Sequence, residues 1–196
     1  EKLNLLLEFL RVHVPGVNGR IFCDSGPLPE KAWARMAGLG WPGRHSILIN
    51  KDIGSYFFIG ILLLDVEAEY DRPFKGNLCG TCRACIEACP TGAINDDYTI
   101  DARKCIAYLT IENKGPVPED IIPLLGGRVY GCDACQEACP WNRKTGCKSH
   151  PEFSLSEEVA TMTRQDWLSL SRENYQKLFR NTVAGRVKFS NLVRNI

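Results

Sequence analysis

Eight of the ten cysteines in this chain fall into two phased groups, and the phasing suits iron–sulfur chemistry. The first group is Cys79, Cys82, Cys85 and Cys89-Pro90, a C-x2-C-x2-C-x3-C-P run. The second is Cys132, Cys135 and Cys139-Pro140, preceded by a lone Cys105. A cubane needs four thiolates converging from different directions. Three cysteines at steps of three wrap one corner, and the fourth, just before a proline, reaches the other cluster. The spacing therefore predicts two 4Fe–4S clusters with exchanged ligands. One is expected on Cys79, Cys82, Cys85 and Cys139. The other is expected on Cys89, Cys105, Cys132 and Cys135, with twenty-six residues looping out between Cys105 and Cys132. Two structural zincs are the alternative, but a zinc knuckle pair has no use for a third cysteine at the same step or for the trailing Cys-Pro. Cys23, in an apolar run, reads as a buried small hydrophobe, and Cys147 as an exposed bystander.

The rest of the chain must position those thiols. Its 196 residues suffice for one or two domains with a real core, and 44% hydrophobic with 24% charged residues is ordinary for a globular protein. The longest apolar run, Tyr56 to Leu64, is too short to cross a bilayer, and no charged-then-apolar leader is evident. Cluster-ligand thiols also suit a reducing compartment, so the expectation is a cytoplasmic protein without membrane association. The net charge of +1 excludes a global nucleic-acid signature. From Trp141 onward, however, ten Lys/Arg stand against five Asp/Glu, which offers either phosphate contacts or a solvated helix face.

The pattern predicts an α+β protein in three parts. Residues 1–70 read as a helix (1–14), a buried strand (Arg20–Asp24), a second helix (Pro29–Gly38) with Ala32, Trp33 and Met36 on one side, and two core strands (Ser46–Asn50 and Ser55–Asp65) paired with each other. Residues 71–150 form a two-cluster unit like a bacterial ferredoxin, with short helices from Cys85 and Cys135. Residues 151–196 form a short helical tail.

The flanks of the cysteines are more specific than the cysteines. The stretch Cys105-Ile-Ala-Tyr-Leu-Thr-Ile-Glu112, then Gly115-Pro-Val-Pro, then Tyr130-Gly-Cys-Asp-Ala-Cys-Gln-Glu-Ala-Cys-Pro-Trp-Asn142 closely resembles the epoxyqueuosine reductase family. So do Asp24-Ser-Gly-Pro, Gly38-Leu-Gly-Trp-Pro-Gly-Arg-His-Ser46, Gly54-Ser-Tyr-Phe-Phe57 and Asn181-Thr-Val-Ala-Gly-Arg186. The resemblance implies a cobalamin-dependent oxidoreductase with two 4Fe–4S clusters, which reduces the epoxide of epoxyqueuosine to an alkene in a tRNA anticodon loop, the last step of queuosine synthesis. It also implies an electron donor such as a flavodoxin or ferredoxin. On this reading residues 1–70 are the later part of a cobalamin-binding catalytic domain, whose amino-terminal part lies outside this sequence. The alternatives are a two-cluster electron carrier and an enzyme like the reductive dehalogenases.

Epoxide reduction needs two electrons, two protons and an acid for the opening oxygen. Asp24 ends an apolar strand at a turn, where partial desolvation would raise a carboxyl pKa; the resemblance implies that it is the general acid, and the competing reading is a helix cap. The resemblance also implies cobalamin contacts at Asp24, Leu48, Ile59, Asp133 and Ala134. Lys31 reads as a contact for tRNA or as a solvated lysine. His45 reads as a hydrogen-bonded histidine near a turn that could lie near the corrin, and Trp41 and Trp141 as packing residues.

Overall fold

A computed structural model describes residues 1–24, 26–143, 145 and 153–196; the expectation for Cys147 lies outside them. The first section is built on a two-stranded ribbon. Strand β1 (Gly19–Phe22) pairs antiparallel with β4 (Ile61–Leu64), with Gly19 opposite Leu64 and Phe22 opposite Ile61. Helix α1 (Lys2–His13) lies on this ribbon through buried Leu7. The fit is close: a Cβ on Gly19 would come within 2.6 Å of Leu64 Cδ2. The opposite face of α1 leaves Leu5, Leu6, Phe9 and Val12 exposed.

Helix α2 (Glu30–Met36) turns its Ala34 side inward and leaves Trp33 and Met36 outside, which corrects the expected apolar face. Strands β2 (Trp41–Pro42) and β3 (Leu48–Ile49) form a hairpin whose tip is fixed by Gly43 N–H donating to Ile47 O at 2.9 Å. The two expected core strands therefore do not pair with one another, since β3 joins β2 and β4 joins β1. The reason lies between them. The chain turns through an Asn50–Gly54 bridge, and Ser55 is then held by the cluster section. Asn142 Oδ1 accepts from Ser55 N–H at 2.7 Å, and Ser55 Oγ donates to Gln136 Oε1 at 2.9 Å. Gly54, at φ 74°, cannot carry a side chain there, because a Cβ would collide with Asn142 Oδ1.

The cysteine-rich section contributes α3 (Ala84–Glu87), α4 (Ile106–Ile111), α5 (Ala134–Glu137) and α6 (Pro140–Arg143), with α3 packed on α5. A 3-10 turn at Ile122–Leu125 ends on left-handed Gly126 and carries Leu125 onto Ile106 and Leu109.

The last section holds α7 (Glu157–Ala160), α8 (Arg164–Leu168), α9 (Arg172–Phe179) and α10 (Phe189–Arg194). Ser156, Thr163 and Ser171 cap α7, α8 and α9, and Thr163 with Asp166 completes a capping box. Tyr175, Phe179, Val187 and Leu192 bury against Ile111, Val129 and Tyr130, so this section docks on α4. Much of its positive charge is engaged within the fold. Arg194 reaches Leu109 O at 2.8 Å and Asn113 O at 3.1 Å, closing the C-terminal end of α4. Arg186 pairs with Glu112, and Lys177 with Glu158 at 3.1 Å. Among the described residues no helix is long and apolar enough to cross a membrane.

Candidate functional site

Two cavities in the cysteine-rich section are ringed by thiols. The first, of about 230 Å³, is lined by Cys79, Cys82, Cys85 and Cys139. The second is tighter, about 40 Å³, and is lined by Cys89, Cys105, Cys132 and Cys135. Helices α3 and α5 explain the exchange. Each begins beside cysteines of its own run, and the Cys-Pro step at its end carries the last thiol (Cys89 or Cys139) toward the other ring. The cysteines described are all free thiols. Among the described residues, no three His, Cys, Asp or Glu side chains close on a point suited to a single metal ion. The sulfurs ring cavities instead, which suits a polynuclear cluster better than a zinc knuckle.

Cys135, Cys85 and Cys139 resist ionisation without a cation. Burial pushes Cys135 up to about 12, and the neighbouring Cys132, Cys105, Cys85 and Cys89 add to it. Burial raises Cys85 as well, reinforced by Cys79, Cys139 and Cys82. Burial also opposes ionisation of Cys89, but hydrogen bonds from the Ala93 N–H and from Thr91 outweigh it and leave that thiol below its ordinary value. Four thiolates in one ring need positive charge at the centre, and bound iron supplies it by deprotonating its ligands outright.

The walls of the two rings differ. The second is lined by Pro90, Thr91, Ala93, Ile94, Ile100, Ile106 and Ala134, with Ala93 N–H donating to Cys89 Sγ at 3.3 Å and the Thr91 hydroxyl 3.6 Å from the same sulfur. The first receives the β2–β3 hairpin. Trp41, fully buried against Phe74 and Trp141, donates Nε1–H to Cys79 Sγ at 3.5 Å. Both tryptophans are thus packing residues, as their contexts suggested. Arg44 and His45 line the cavity beside the sulfurs. His45 is 1% exposed, and burial lowers its pKa to about 4, so the ring is neutral. The imidazole faces the first cysteine ring, and the neighbouring Lys31 adds to the lowering.

Beyond the same hairpin lies a cleft of about 200 Å³ lined by Asp24, Glu30, Lys31, Leu48, Phe58 and Ile59, among others. Residues 24, 31, 48 and 59, separate in the chain, are therefore gathered in one place. Ile47 and Leu48 face this cleft while His45 and Ile49 face the sulfurs, so the hairpin is a shared wall. Lys31 Nζ donates to Ser46 O at 2.9 Å, which ties α2 to the hairpin.

Asp24 departs from its expectation. It is not partly desolvated: its side chain is 83% exposed, 3.9 Å from Arg186 Nη1. Nor does it cap α2, whose N-cap is Pro29. Its backbone sits at φ 52°, and its N–H donates to Glu30 Oε1 at 2.6 Å. Cys23 is exposed on the cleft rather than buried, because an open two-stranded ribbon covers only one of its faces. Asp133 and Ala134 stand apart from this cleft. Ala134 lines the second ring, and Asp133 accepts from Gln136 Nε2 at 2.9 Å, which links it to Ser55 and the segment leading to Ile59. Glu30 has no signal in the sequence, and Arg44 and Asn142, although they stand in the stretches that carry the resemblance, receive no role there.

These features define a double-cluster iron–sulfur module joined to an α/β section. Residues 78–142 match the family model described as a 4Fe-4S double cluster binding domain. The whole chain is similar to the epoxyqueuosine reductase of Cellulophaga algicola, at 42% identity over 195 residues, and spans 63% of that protein. Among solved structures it is similar to a crystal structure of epoxyqueuosine reductase with an epoxyqueuosine-modified tRNA stem loop. There the TM-score is 0.90 at 30% identity, over 99% of this chain and 51% of the other. The likeness to the reductive dehalogenase NpRdhA is weaker: TM-score 0.54, 26% identity, over 71% of this chain and 20% of that one. Along its whole length the chain is similar to epoxyqueuosine reductases, and it spans 63% of the Cellulophaga algicola protein and 51% of the tRNA-bound one.

Proposed function

We propose that this chain is the electron-delivering and proton-donating section of an epoxyqueuosine reductase. The observation that carries the reading is the superposition of 99% of the chain on the tRNA-bound reductase, in which the two thiol rings and the Asp24 cleft fall within the shared part. In the three-part division proposed for it, residues 1–70 face the substrate, 71–150 hold the clusters and 151–196 brace them.

Cys79, Cys82, Cys85 and Cys139 would hold one 4Fe–4S cluster, and Cys89, Cys105, Cys132 and Cys135 the other. The clusters supply one-electron steps, and the packing of α3 on α5 keeps the rings adjacent. The cleft is smaller than the roughly 300–1,000 Å³ that encloses a drug-sized ligand, so it fits the edge of a corrin rather than the whole. Asp24, Leu48 and Ile59 would meet that edge, with Asp133 and Ala134 on the cluster side. Cobalamin supplies the strong reductant that a strained C–O bond demands.

What the chain itself does is hold and move the proton. Asp24 stands exposed at the mouth of the cleft, 3.9 Å from Arg186 Nη1, where its carboxyl group, in the protonated form, would give its proton to the opening epoxide oxygen and be left as the carboxylate. The partner on this reading is tRNA carrying epoxyqueuosine in its anticodon loop, with Lys31 at the cleft as one contact. A flavodoxin or ferredoxin would supply the electrons, and the compartment would be the cytoplasm.

The test uses protein of the relatives' full length, with cobalamin, a low-potential reductant and epoxyqueuosine-containing tRNA. Nucleoside mass analysis should show the base losing one oxygen. Reducible clusters with no conversion and no change in the cobalamin spectrum would leave the electron carrier as the better reading.

A further inference from the structure

Two buried N–H groups beside the first thiol ring have no protein partner. They are His45 Nε2 and Arg44 Nε. Burying an N–H without a partner is costly, so such a group in a packed wall points to something it is built to meet. The proton on His45 can be placed. Its Nδ1 accepts from Ile47 N–H at 3.2 Å, so in the neutral ring Nε2 carries the hydrogen and is a donor. Arg44 is equally constrained. Nη1 donates to Asp96 O and Nη2 to Gly80 O, both at 2.9 Å, leaving Nε–H for the cavity. Trp41 Nε1–H already lies against Cys79 Sγ. Three donors, one of them on a cation, thus lie along one hairpin beside one ring; the other ring is met by Ala93 N–H and the Thr91 hydroxyl at Cys89 Sγ, and no cationic side chain lines it.

We propose that the β2–β3 hairpin tunes the first cluster, with His45 Nε2–H and Arg44 Nε–H hydrogen-bonding its sulfurs and holding its reduction potential above that of the second. Reduction adds one electron to a cluster and increases the negative charge on its sulfurs. Donors and positive charge beside those sulfurs stabilise the reduced form, and of the two rings only the first has a cationic side chain and unpartnered N–H groups in its wall. His45, Arg44 and Trp41 are positioning residues in this scheme. The hairpin's other side carries Leu48 toward the Asp24 cleft, so one element would set the cluster's energy and shape the substrate face.

The proposal rests on the cluster ligation proposed for these rings, and the two can fail separately. Anaerobic reconstitution comes first: about eight irons per chain supports the ligation, and a chain that takes up none overturns both ideas. With both clusters in place, a redox titration followed by electron paramagnetic resonance reads two midpoints. His45→Leu should move one midpoint to a more negative value and leave the other in place, and His45→Gln, which keeps an N–H donor, should return it most of the way. Trp41→Phe should move the same midpoint by less. Midpoints that stay put, or that move together, would overturn the proposal. A measurement on the unaltered sequence guards against a variant that fails to assemble. With isotope-labelled histidine, pulsed resonance should detect a histidine nitrogen coupled to one reduced cluster. Absence of any such coupling would overturn the role of His45 without a mutation.

Discussion

The two thiol rings come from duplicated sequence but sit in different surroundings. The first borrows a wall from outside the cysteine-rich section, and that wall brings an indole, a guanidinium and an imidazole to within reach of sulfur. The second is closed by its own section, by isoleucines, alanines and a proline, and its Cys105 stands at the N-cap of α4. On the ligation and tuning proposed for these rings, the ligand motif sets which atoms would bind iron, while the neighbouring element sets how readily that iron would be reduced. The contrast also assigns separate supports to each ring: the hairpin for the first, and α4 with its C-terminal brace for the second.

The harshest way to break the comparison is to remove one ligand at a time. Cys105→Ala should halve the iron, from about eight per chain to about four, and so should Cys89→Ala, although Cys89 belongs to the other run. Both should leave the donor-rich ring's resonance signal intact, whereas Cys79→Ala and Cys139→Ala should abolish it. A Cys89→Ala protein that lost the same signal as Cys79→Ala would show that the ligands are not exchanged. Cys23→Ala lies at the cleft and should leave the iron content unchanged.

Next in size is the proton donor on the far side of the hairpin. In the full-length enzyme Asp24→Asn keeps the shape but has no acidic proton to give, and general acid catalysis is worth roughly 10²- to 10⁴-fold. Single-turnover conversion with pre-reduced clusters should slow by about that factor while both midpoints stay fixed. A rate within a few-fold of wild type would remove Asp24 from the chemistry and leave it as a turn residue.

How much of this is legible in the sequence depends on the distance over which each part is specified. The corners are local: steps of three and a Cys-Pro mark which thiols can share one, and only the lone Cys105, twenty-six residues before Cys132, has to be added as the remaining member. The helices around Leu7, Tyr175 and Phe179 are also readable, since their periodicity is local. The strand partners are not, because Ser55 is captured by Asn142 and Gln136 more than eighty positions away, which separates two apolar runs that look made for each other. Nor is the donor wall. Trp41 is thirty-eight positions from the sulfur it meets, and the burial of His45 depends on the whole hairpin seat. Asp24 misleads for a related reason: an apolar strand suggests a covered end, but a two-stranded ribbon leaves its end open.

The join between the sections gives a smaller effect. Asn142→Ala removes the acceptor for Ser55 N–H, the donor to Ser55 Oγ at 2.9 Å and the donor to Gln136 O at 2.7 Å. Leaving part-buried partners unmet costs roughly 1–3 kcal/mol, so thermal unfolding should shift downward by several degrees. Asn142 follows Cys139 by three positions and also fastens the 54–55 turn, so the donor-rich ring should lose iron to a chelator faster than the apolar one.

The mildest prediction concerns the brace on α4. Arg194 is half-buried, and its guanidinium closes the helix end through Leu109 O and Asn113 O, with a third bond to Gly115 O, while Asn195 Nδ2 reaches Thr110 O at 2.9 Å. Burial lowers the Arg194 pKa without bringing it near neutrality, so the side chain stays charged and its bonds to carbonyls are charge-assisted. Arg194→Ala returns those carbonyls to water at the open end of the helix, which limits the loss to about 1 kcal/mol, the worth of a typical net hydrogen bond. The effect should nevertheless be directional. Cys105 sits at the other end of the same six-residue helix, so looseness at Arg194 is transmitted along α4 to the second ring. Iron release to a chelator should quicken by a few-fold from the apolar ring and stay unchanged at the hairpin ring, which touches neither α4 nor α10. Equal acceleration at both rings would mean that the tail stabilises the whole cysteine-rich section rather than one ring of it, and the separate supports of the two rings would then collapse into one.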